Sequence, residues 1–417
     1  MEKISIAKKI WHHFSAHHRF NEQIKKYEKH IKECKNQGDK TGKRTIVFLI
    51  NFPESWNSVK SIYAEACGRE DVEVKVVAVP RSVANIDDNR DISGLRNEAY
   101  EFFSQTGIPA IKANEKSEWF DLKSLNPDYV IYTRPYNQDY PFVYQSDNVC
   151  TFAKLCYIPY AYSMLSNGIL VMPEGFVLST HRIFLANESR KNECCMRFPN
   201  YIKENKKRFQ YLGFPRFDLY GKDEEQADDR PFTIAWLPRW TVDEGKNKNK
   251  GSHFLLYCKD FLEYAKKNPD VKVIIRPHPN MFPNYIENGI MSEEEVDAFK
   301  AQCEACGVVI DQDKDYIKTI KTSDVLVADY TSLIAEYFMT GKPIIYCDTA
   351  DGLNEEGTVI CGNLYDADSF AAVEDYLEKI KNGKDGDFNK RESIIKKLLP
   401  AGCGNIGKTI LDNILNS

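Results

Sequence analysis

The stretch SDVLVADYTSLIAEYFMTGKPIIYC (residues 323–347) decides the fold. It begins with a short apolar run, continues through polar residues into a helix-like segment, and ends in a second apolar run after Lys342 and Pro343. A strand, a helix and a second strand at this spacing form a βαβ unit, whose parallel strands are buried on both faces. The stretch therefore predicts an open parallel sheet covered by helices.

The same alternation extends outward from this stretch in both directions. It predicts two Rossmann-type αβα domains that face a central cleft: 45–225 and 231–400. Residues 1–44 form a basic amphipathic helix and linker, and 401–417 form a C-terminal helix that can cross back to the first domain. The strands that carry this prediction are TIVFLI (45–50), VEVKVVAVP (72–80), NPDYVIYTRPY (126–136), FTIAWLP (232–238) and VKVIIRPHP (271–279); GILVMPEGFVL (168–178) is expected to contain strand as well.

Composition excludes several classes of protein. The chain has 417 residues, a net charge of −5 and 42% hydrophobic residues, which is ordinary globular composition. No run approaches the roughly 18 apolar residues of a membrane-spanning helix, and no signal peptide is visible, so we expect a cytoplasmic protein. Beyond residue 44 the chain carries 44 basic against 56 acidic side chains, which argues against nucleic-acid binding. Cys303 and Cys306 form one unaccompanied CxxC, which predicts no metal site.

Residues 1–44 differ from the rest of the chain, with 12 Lys and Arg against 5 Asp and Glu. Within them, residues 4–36 place apolar side chains three and four apart, including Trp11 and Phe14. A basic amphipathic helix of this kind lies in the interface of an anionic membrane. The same stripe equally fits a helix packed on the protein's own body, and both interpretations stay open.

In open parallel sheets, ligands bind beyond the carboxyl ends of the strands. Arg276 and His278 follow the strand VKVII, and Pro277 and Pro279 fix the backbone around them. A guanidinium group is a fork of donors suited to phosphate, and an imidazole donates a hydrogen bond or a proton. We therefore expect Arg276 to bind phosphate and His278 to be catalytic, with Pro279 in a supporting role. Arg239, directly after FTIAWLP, is expected to support the site.

A second candidate group follows the apolar run VLV (325–327) and Ala328. Asp329, Tyr330, Thr331 and Ser332 stand directly before a predicted helix, whose free N–H groups favour an anion. We expect these four residues to bind the phosphates of a substrate, although Thr and Ser are also ordinary N-caps. Asp324 and Glu336 are expected to support the site, and a buried Glu336 would need a hydroxyl or backbone partner.

Other chemistries find little support in the motifs. No GxGxxG follows TIVFLI, and GxSxG and HExxH are absent, which argues against a dinucleotide site on the first strand, hydrolase triads and zinc proteases. No carboxylate-rich metal cluster is visible either. The remaining prediction is a two-domain protein whose C-terminal half is equipped for phosphate.

The motifs together resemble the CDP-glycerol glycerophosphotransferase family of teichoic acid and capsule enzymes. RPHP is followed by Ser323, Asp324, Asp329, Tyr330 and Ser332 in the family's order, with Thr331 where Ser is usual. Lys342-Pro343 and GFPRFD (213–218) match further family positions. The resemblance implies a GT-B fold and transfer of glycerol phosphate from CDP-glycerol to a hydroxyl of a lipid-linked or polymeric glycan, with release of CMP. It implies no cofactor and no required metal.

The chain departs from the family in its first half. Polymer-forming members carry a Trp-His-Gly-Thr segment whose His is the general base, and this tetrapeptide is absent; CYIPYAY (156–162) stands at about that place. His181 is a weak substitute for which core or surface placement is the simpler interpretation. Two alternatives stay open: a GT-B glycosyltransferase that uses a nucleotide sugar, and a two-lobed binding protein without catalysis.

The N-terminal segment gives a first testable prediction. Deleting residues 1–36 should abolish sedimentation with anionic vesicles, since each Lys near such a surface contributes roughly 1 kcal/mol of binding. Transfer to a soluble acceptor analogue should survive the deletion. An insoluble or unfolded truncated protein would instead place this segment in the protein core.

Overall fold

We describe the fold from a computed structural model of the chain. The residues described are 42–81, 91–166, 172–198, 208–220, 230–241, 252–313, 315–347, 352–399, 402 and 404–417, with Glu22, Lys25 and Lys29. The predicted N-terminal helix over 4–36 lies outside these residues, apart from Glu22, Lys25 and Lys29, which are helical and exposed.

The chain divides into two compact units. The first takes its described residues from Met1–Ala161, Leu170–Arg216 and Asn405–Ser417, and is built on a seven-stranded parallel sheet. Residues 46–50 are fully buried, as expected for a strand covered on both faces. Its strands are β1 (Arg44–Ile50), β2 (Val72–Ala78), β3 (Ile111–Lys112), β4 (Tyr129–Tyr132), β5 (Lys154–Tyr157), β6 (Thr180–Phe184) and β7 (Phe209–Gln210), and its first helices are α1 (Lys60–Cys67), α2 (Glu98–Thr106), α3 (Ser146–Val149), α4 (Glu174–Ser179) and α5 (Glu188–Arg197).

The second unit, Tyr162–Ile169 and Phe217–Gly404, is built on a six-stranded parallel sheet. A capping box starts its helix α8, where Ser292 and Glu295 each accept a backbone hydrogen bond from the other. Its strands are β8 (Phe232–Leu237), β9 (Val271–Ile275), β10 (Val309–Ile310), β11 (Val325–Ala328), β12 (Ile344–Tyr346) and β13 (Tyr365–Asp366). Its helices are α6 (Phe254–Lys267), α7 (Met281–Glu287), α8 (Glu293–Ala305), α9 (Ile317–Thr322), α10 (Leu333–Phe338), α11 (Glu355–Cys361), α12 (Phe370–Lys381) and α13 (Phe388–Leu398).

Both sheets have the same doubly wound strand order. The first runs β3-β2-β1-β4-β5-β6-β7 and the second β10-β9-β8-β11-β12-β13. In each sheet the first strand in sequence has the second strand on one side and the fourth on the other, so the chain reverses its winding there. Ligands of such sheets bind at this switch point, beyond the carboxyl ends of the strands. The two switch points lie between β1 and β4 and between β8 and β11.

The helix α14 (Ile406–Leu415) belongs to the first unit and packs against α1. Its apolar face buries Ile406, Ile410, Leu411 and Ile414. The helices approach closely at Gly407, where an added Cβ would lie 2.6 Å from Ser61 Oγ and 2.7 Å from the carbonyl carbon of Ser61. An Asp412 carboxylate also accepts a hydrogen bond from Arg69 at 2.8 Å.

The predicted fold class is confirmed, since both units are parallel α/β sheets with helices. The sequence analysis expected strand within 168–178, but residues 174–178 lie in the helix α4, and 168–171 lie outside the described residues. A short apolar run does not by itself distinguish a strand from a buried helix. The first unit passes to the second between Arg216 and Phe217, before the expected boundary at 225–231, and residues 162–166 group with the second unit. In the described part of the chain, every helix is too short or too polar to cross a membrane.

Gly407 provides a test of the α1–α14 contact. Gly407→Ala should lower the free energy of unfolding by about 1–3 kcal/mol, because the added methyl group meets backbone that must move. Gly94→Ala is the matched control, since a Cβ there meets nothing within 4 Å. Urea unfolding of the full chain measures both, and equal stabilities of the two variants would contradict the close packing.

Candidate active site

The switch point of the second sheet joins the ends of β8 and β11 through one carboxylate. Asp329, the first residue after β11, is 1% exposed. Its Oδ2 accepts the backbone N–H of Arg239 at 2.9 Å and that of His253 at 3.1 Å. Its Oδ1 lies 2.6 Å from Nδ1 of His253. The hydroxyl of Ser252 also donates to Oδ2, at 3.5 Å. A buried carboxylate needs several donors, and here four groups supply them.

His253 is the functional candidate that the sequence analysis missed. It stands at the N-cap position of α6, and its ring stacks on Tyr257 one turn later, with the ring centroids 5.1 Å apart. Because the carboxylate of Asp329 accepts from Nδ1, this nitrogen carries the proton and the ring orientation is fixed. The histidine and the aspartate lie 76 positions apart, and His253 does not follow an apolar run, so no local pattern indicated the pair.

His278 lies on the other side of β8, after β9. Its Nδ1 accepts the backbone N–H of Asn280 at 3.1 Å, and its ring stacks on Trp240 with centroids 5.5 Å apart. Desolvation of the ring lowers the pKa of His278 below the usual 6.5. At neutral pH the imidazole is therefore uncharged, with its proton on Nε2, and this N–H is a hydrogen-bond donor. Pro279 follows it on an exposed turn.

Arg276 is engaged in an ion pair. Its Nη1 donates to Asp311 Oδ2 at 2.6 Å, its Nη2 donates to the Asp313 carbonyl at 2.5 Å, and its guanidinium lies over the Tyr316 ring. Burial raises the pKa of Asp311, but hydrogen bonds from Thr319, Asp313 and Arg276 outweigh it and lower the pKa overall. The phosphate-binding role of Arg276 thus stays a prediction, and the sequence analysis overlooked its partner at the end of β10.

Two carboxylates of the motif have structural contacts. Glu336, 1% exposed, accepts hydrogen bonds from Tyr220 at 2.6 Å and Tyr316 at 2.9 Å, which are the hydroxyl partners its burial requires. Asp324 accepts from the Thr233 backbone at 2.7 Å and pairs with both amino groups of Arg230. These carboxylates therefore fix the unit's framework.

Lys342 belongs to this framework as well. Its ammonium group donates to the carbonyls of Ile320, Lys321 and Ser323 at 3.2, 2.6 and 2.7 Å, at the C-terminus of α9. Burial lowers the pKa of Lys342 to about 8. The Lys-Pro part of the motif is thus explained by helix capping.

The residues between Asp329 and α10 differ in their contacts. Tyr330 lies under the Arg239 guanidinium, 5.7 Å from its carbon. Thr331 Oγ1 accepts the Leu333 N–H at 3.4 Å. Ser332 occupies the N-cap position, but its exposed side chain makes no capping hydrogen bond. The ordinary N-cap interpretation therefore does not account for the Ser332 hydroxyl.

In the described ranges, no group of three or more His, Cys, Asp and Glu side chains could hold a metal ion. His181, the weak candidate for a base, is buried within β6 and does not lie at the carboxyl end of a strand.

Residues 196–351 match the family model described as CDP-Glycerol:Poly(glycerophosphate) glycerophosphotransferase. We refer to residues 196–351 as the glycerophosphotransferase segment. The glycerophosphotransferase segment contains both strand-end motifs and the Asp329–His253 pair, so the resemblance drawn from the sequence is confirmed. The prediction of an enzyme of the CDP-glycerol glycerophosphotransferase class is confirmed with it. No curated protein sequence matches the chain.

Solved structures share the fold over most of the chain. The wall teichoic acid polymerase TagF aligns with a TM-score of 0.53 at 13% identity, covering 95% of this chain and 97% of its own. A UDP-GlcNAc 2-epimerase from Neisseria meningitidis aligns with a TM-score of 0.56 at 14% identity, covering 89% and 100%. At these identities the likeness concerns the fold alone. The match of residues 196–351 to the glycerophosphotransferase family favours a polymerase-like transferase over an epimerase.

The Asp329 carboxylate yields a prediction about stability. Asp329→Asn should lower the free energy of unfolding by about 1–3 kcal/mol, because the amide group leaves a buried N–H without an acceptor. Asp297→Asn is the control: this exposed carboxylate pairs only with Lys300, at 3.1 Å, and should change stability by less than ~0.5 kcal/mol. Urea unfolding compares the two, and equal losses would refute the central role of Asp329.

Proposed function

We propose that the chain transfers glycerol phosphate from CDP-glycerol to a hydroxyl of a lipid-linked or polymeric glycan and releases CMP. The observation that carries this proposal is the match of residues 196–351 to the glycerophosphotransferase family. It is supported by the position of the matched motifs, which follow β9 and β11 on either side of β8. An imidazole and hydroxyl groups at such an edge suit a diphosphate.

The reaction is a substitution at the phosphorus that bears glycerol. The acceptor oxygen forms a new bond to this phosphorus, and the bond to the bridging oxygen of the diphosphate breaks. The bridging oxygen keeps the electron pair and leaves with CMP, while the proton of the acceptor hydroxyl passes to a base or to solvent. Because phosphoryl transfer spreads negative charge over the phosphate oxygens, positioned donors lower its barrier.

His278 is the donor with the clearest fit to this step. Its lowered pKa keeps the free imidazole neutral, so Nε2–H first donates a hydrogen bond to a phosphate oxygen. A bound phosphate raises the pKa of an imidazole beside it, because the anion favours the charged form. His278 can then share its proton with the leaving phosphate. The hydroxyls of Thr331 and Ser332 supply further donors, and Asp329 holds His253 and the Arg239 backbone in place.

Access to a lipid-linked acceptor requires work at a membrane surface. We propose that the protein acts at the cytoplasmic face of the membrane and that the basic residues 4–36 hold it there. The positive charge of residues 1–44 favours such a surface.

A donor panel tests the proposed function. The purified chain is incubated with CDP-glycerol, CDP-sugars and UDP-sugars, and the release of CMP, CDP or UDP is measured with and without a glycan acceptor. Of these donors, we expect only CDP-glycerol to be turned over, with release of CMP, because the family that residues 196–351 match is described by that donor. Release of UDP from a UDP-sugar would favour a glycosyltransferase, and binding without turnover would favour a non-catalytic protein.

In the same assay His278→Ala should lower turnover at least about a hundredfold, the usual scale for losing a group that transfers or shares a proton. His30→Ala is the control of the same residue type, outside the glycerophosphotransferase segment. Thermal unfolding checks that both variants fold. Turnover of His278→Ala within a few-fold of the unmodified chain, at normal stability, would make His278 structural.

A further inference from the structure

A cluster of arginine and aromatic side chains lies at the switch point of the first sheet. Phe52 stands two residues after β1, and Arg134 two residues after β4, the two strands on either side of that point. Tyr160 stands three residues after β5, the next strand along. The topology therefore brings these side chains to the edge where open α/β sheets bind their ligands.

The guanidinium group of Arg134 lies close to three aromatic rings. Its guanidinium carbon lies 4.1 Å from the ring centroid of Phe52, 5.0 Å from that of Tyr160 and 5.3 Å from that of Tyr136. Its Nε donates to Asp139 Oδ2 at 2.5 Å. Asp139 and the three surrounding rings therefore leave this side chain little freedom.

The terminal edge of the Arg134 guanidinium is left for a ligand. Among the described residues, none accepts a hydrogen bond from Nη1 or Nη2, and the side chain is 19% exposed. These two nitrogens are the pair that binds phosphate or carboxylate through two parallel hydrogen bonds. The Asp139 partner balances the charge of Arg134, so recognition at this edge depends on hydrogen-bond geometry more than on net charge.

The loops around Arg134 are held by a second arginine. Arg216, 6% exposed, donates to the Tyr160 carbonyl at 2.6 Å and to the Glu54 carbonyl at 3.4 Å. Arg216 belongs to the motif GFPRFD that the sequence analysis matched to the family. The Tyr160 ring, 38% exposed, remains open to solvent beside the free edge of Arg134.

We propose that this Arg134 cluster (Phe52, Arg134, Tyr136, Asp139 and Tyr160) binds the acceptor as a phosphate-bearing sugar or polyol. The phosphate lies on Nη1 and Nη2 of Arg134, and the carbon-bound hydrogens of the sugar or polyol pack on the exposed ring of Tyr160. Aromatic rings bind carbohydrate well because they present a large rigid apolar face at low entropic cost. The assignment of this ligand as the acceptor rests on the proposed function.

A binding experiment on the full chain tests the site. CMP is kept saturating to occupy the donor site, and glycerol 3-phosphate, glycerol and inorganic phosphate are titrated calorimetrically. We expect glycerol 3-phosphate to bind most tightly. Arg134→Gln should weaken it at least about tenfold, since two charge-assisted hydrogen bonds are lost. Arg96→Gln, an exposed arginine of the same unit that pairs with Glu101 at 2.9 Å, should bind normally.

Two further variants keep the test decisive if Arg134→Gln does not fold. Arg134→Lys keeps the charge but removes the fork and should weaken binding, whereas Tyr160→Ala should weaken glycerol 3-phosphate more than inorganic phosphate. Unchanged affinity in Arg134→Gln or, failing that, Arg134→Lys overturns the site. Equal affinity for phosphate and glycerol 3-phosphate overturns the part assigned to Tyr160.

Turnover separates this proposal from the proposed function. Arg134→Gln should raise KM for the acceptor more than it lowers kcat, whereas the control Arg96→Gln should leave both unchanged. If CDP-glycerol is not turned over at all but glycerol 3-phosphate binding still depends on Arg134, the proposed function fails and the site stands. If CDP-glycerol turnover is normal and Arg134→Gln does not change KM for the acceptor, the proposed acceptor site is wrong and the proposed function stands.

Discussion

The buried carboxylate of Asp329 is the contact on which the second unit's functional edge depends. It lies at the switch point, where neighbouring strand ends diverge and their backbone N–H groups lose the partners that a continuing ladder would supply. Asp329 accepts from Arg239 after β8 and from His253 at the start of α6. The Asp329 carboxylate thus fixes the loop at Arg239, the loop at His253 and the His253 imidazole. If either loop moved away, the buried charge would lose a hydrogen-bond donor.

This explains why a family motif contains residues with such different contacts. Asp324, Glu336 and Lys342 bind to their own unit through carbonyls, hydroxyls and one arginine, so they maintain the backbone on which the site is built. His278 and Ser332 present polar atoms outward instead. A sequence motif therefore contains both residues that stabilise the backbone around the site and residues that face a substrate. The two kinds can be distinguished only by their contacts in the structure.

Much of the fold followed from the sequence because buried parallel strands leave a clear signal. Runs such as TIVFLI and VKVII predicted the strands, and the residues directly after them predicted the position of the functional edge. Contacts between distant segments could not be predicted in this way. Asp311, directly after a two-residue strand, pairs with Arg276. His253 contacts Asp329 from the start of a helix that follows no apolar run. The helix at 174–179 was mistaken for strand because an apolar run of that length suits both.

The position of α14 has a consequence for biosynthesis. During synthesis, residues 405–417 emerge from the ribosome only after the whole second unit has been made, yet they belong to the first unit. The surface of α1 that later meets Gly407 therefore stays uncovered while residues 217–404 are added, which takes on the order of 10–40 s at about 5–20 residues per second. The second unit can fold in that interval, so the two units should mature in the reverse of their order along the sequence. Until α14 docks, the exposed face of α1 is the place where a chaperone or a neighbouring nascent chain would bind.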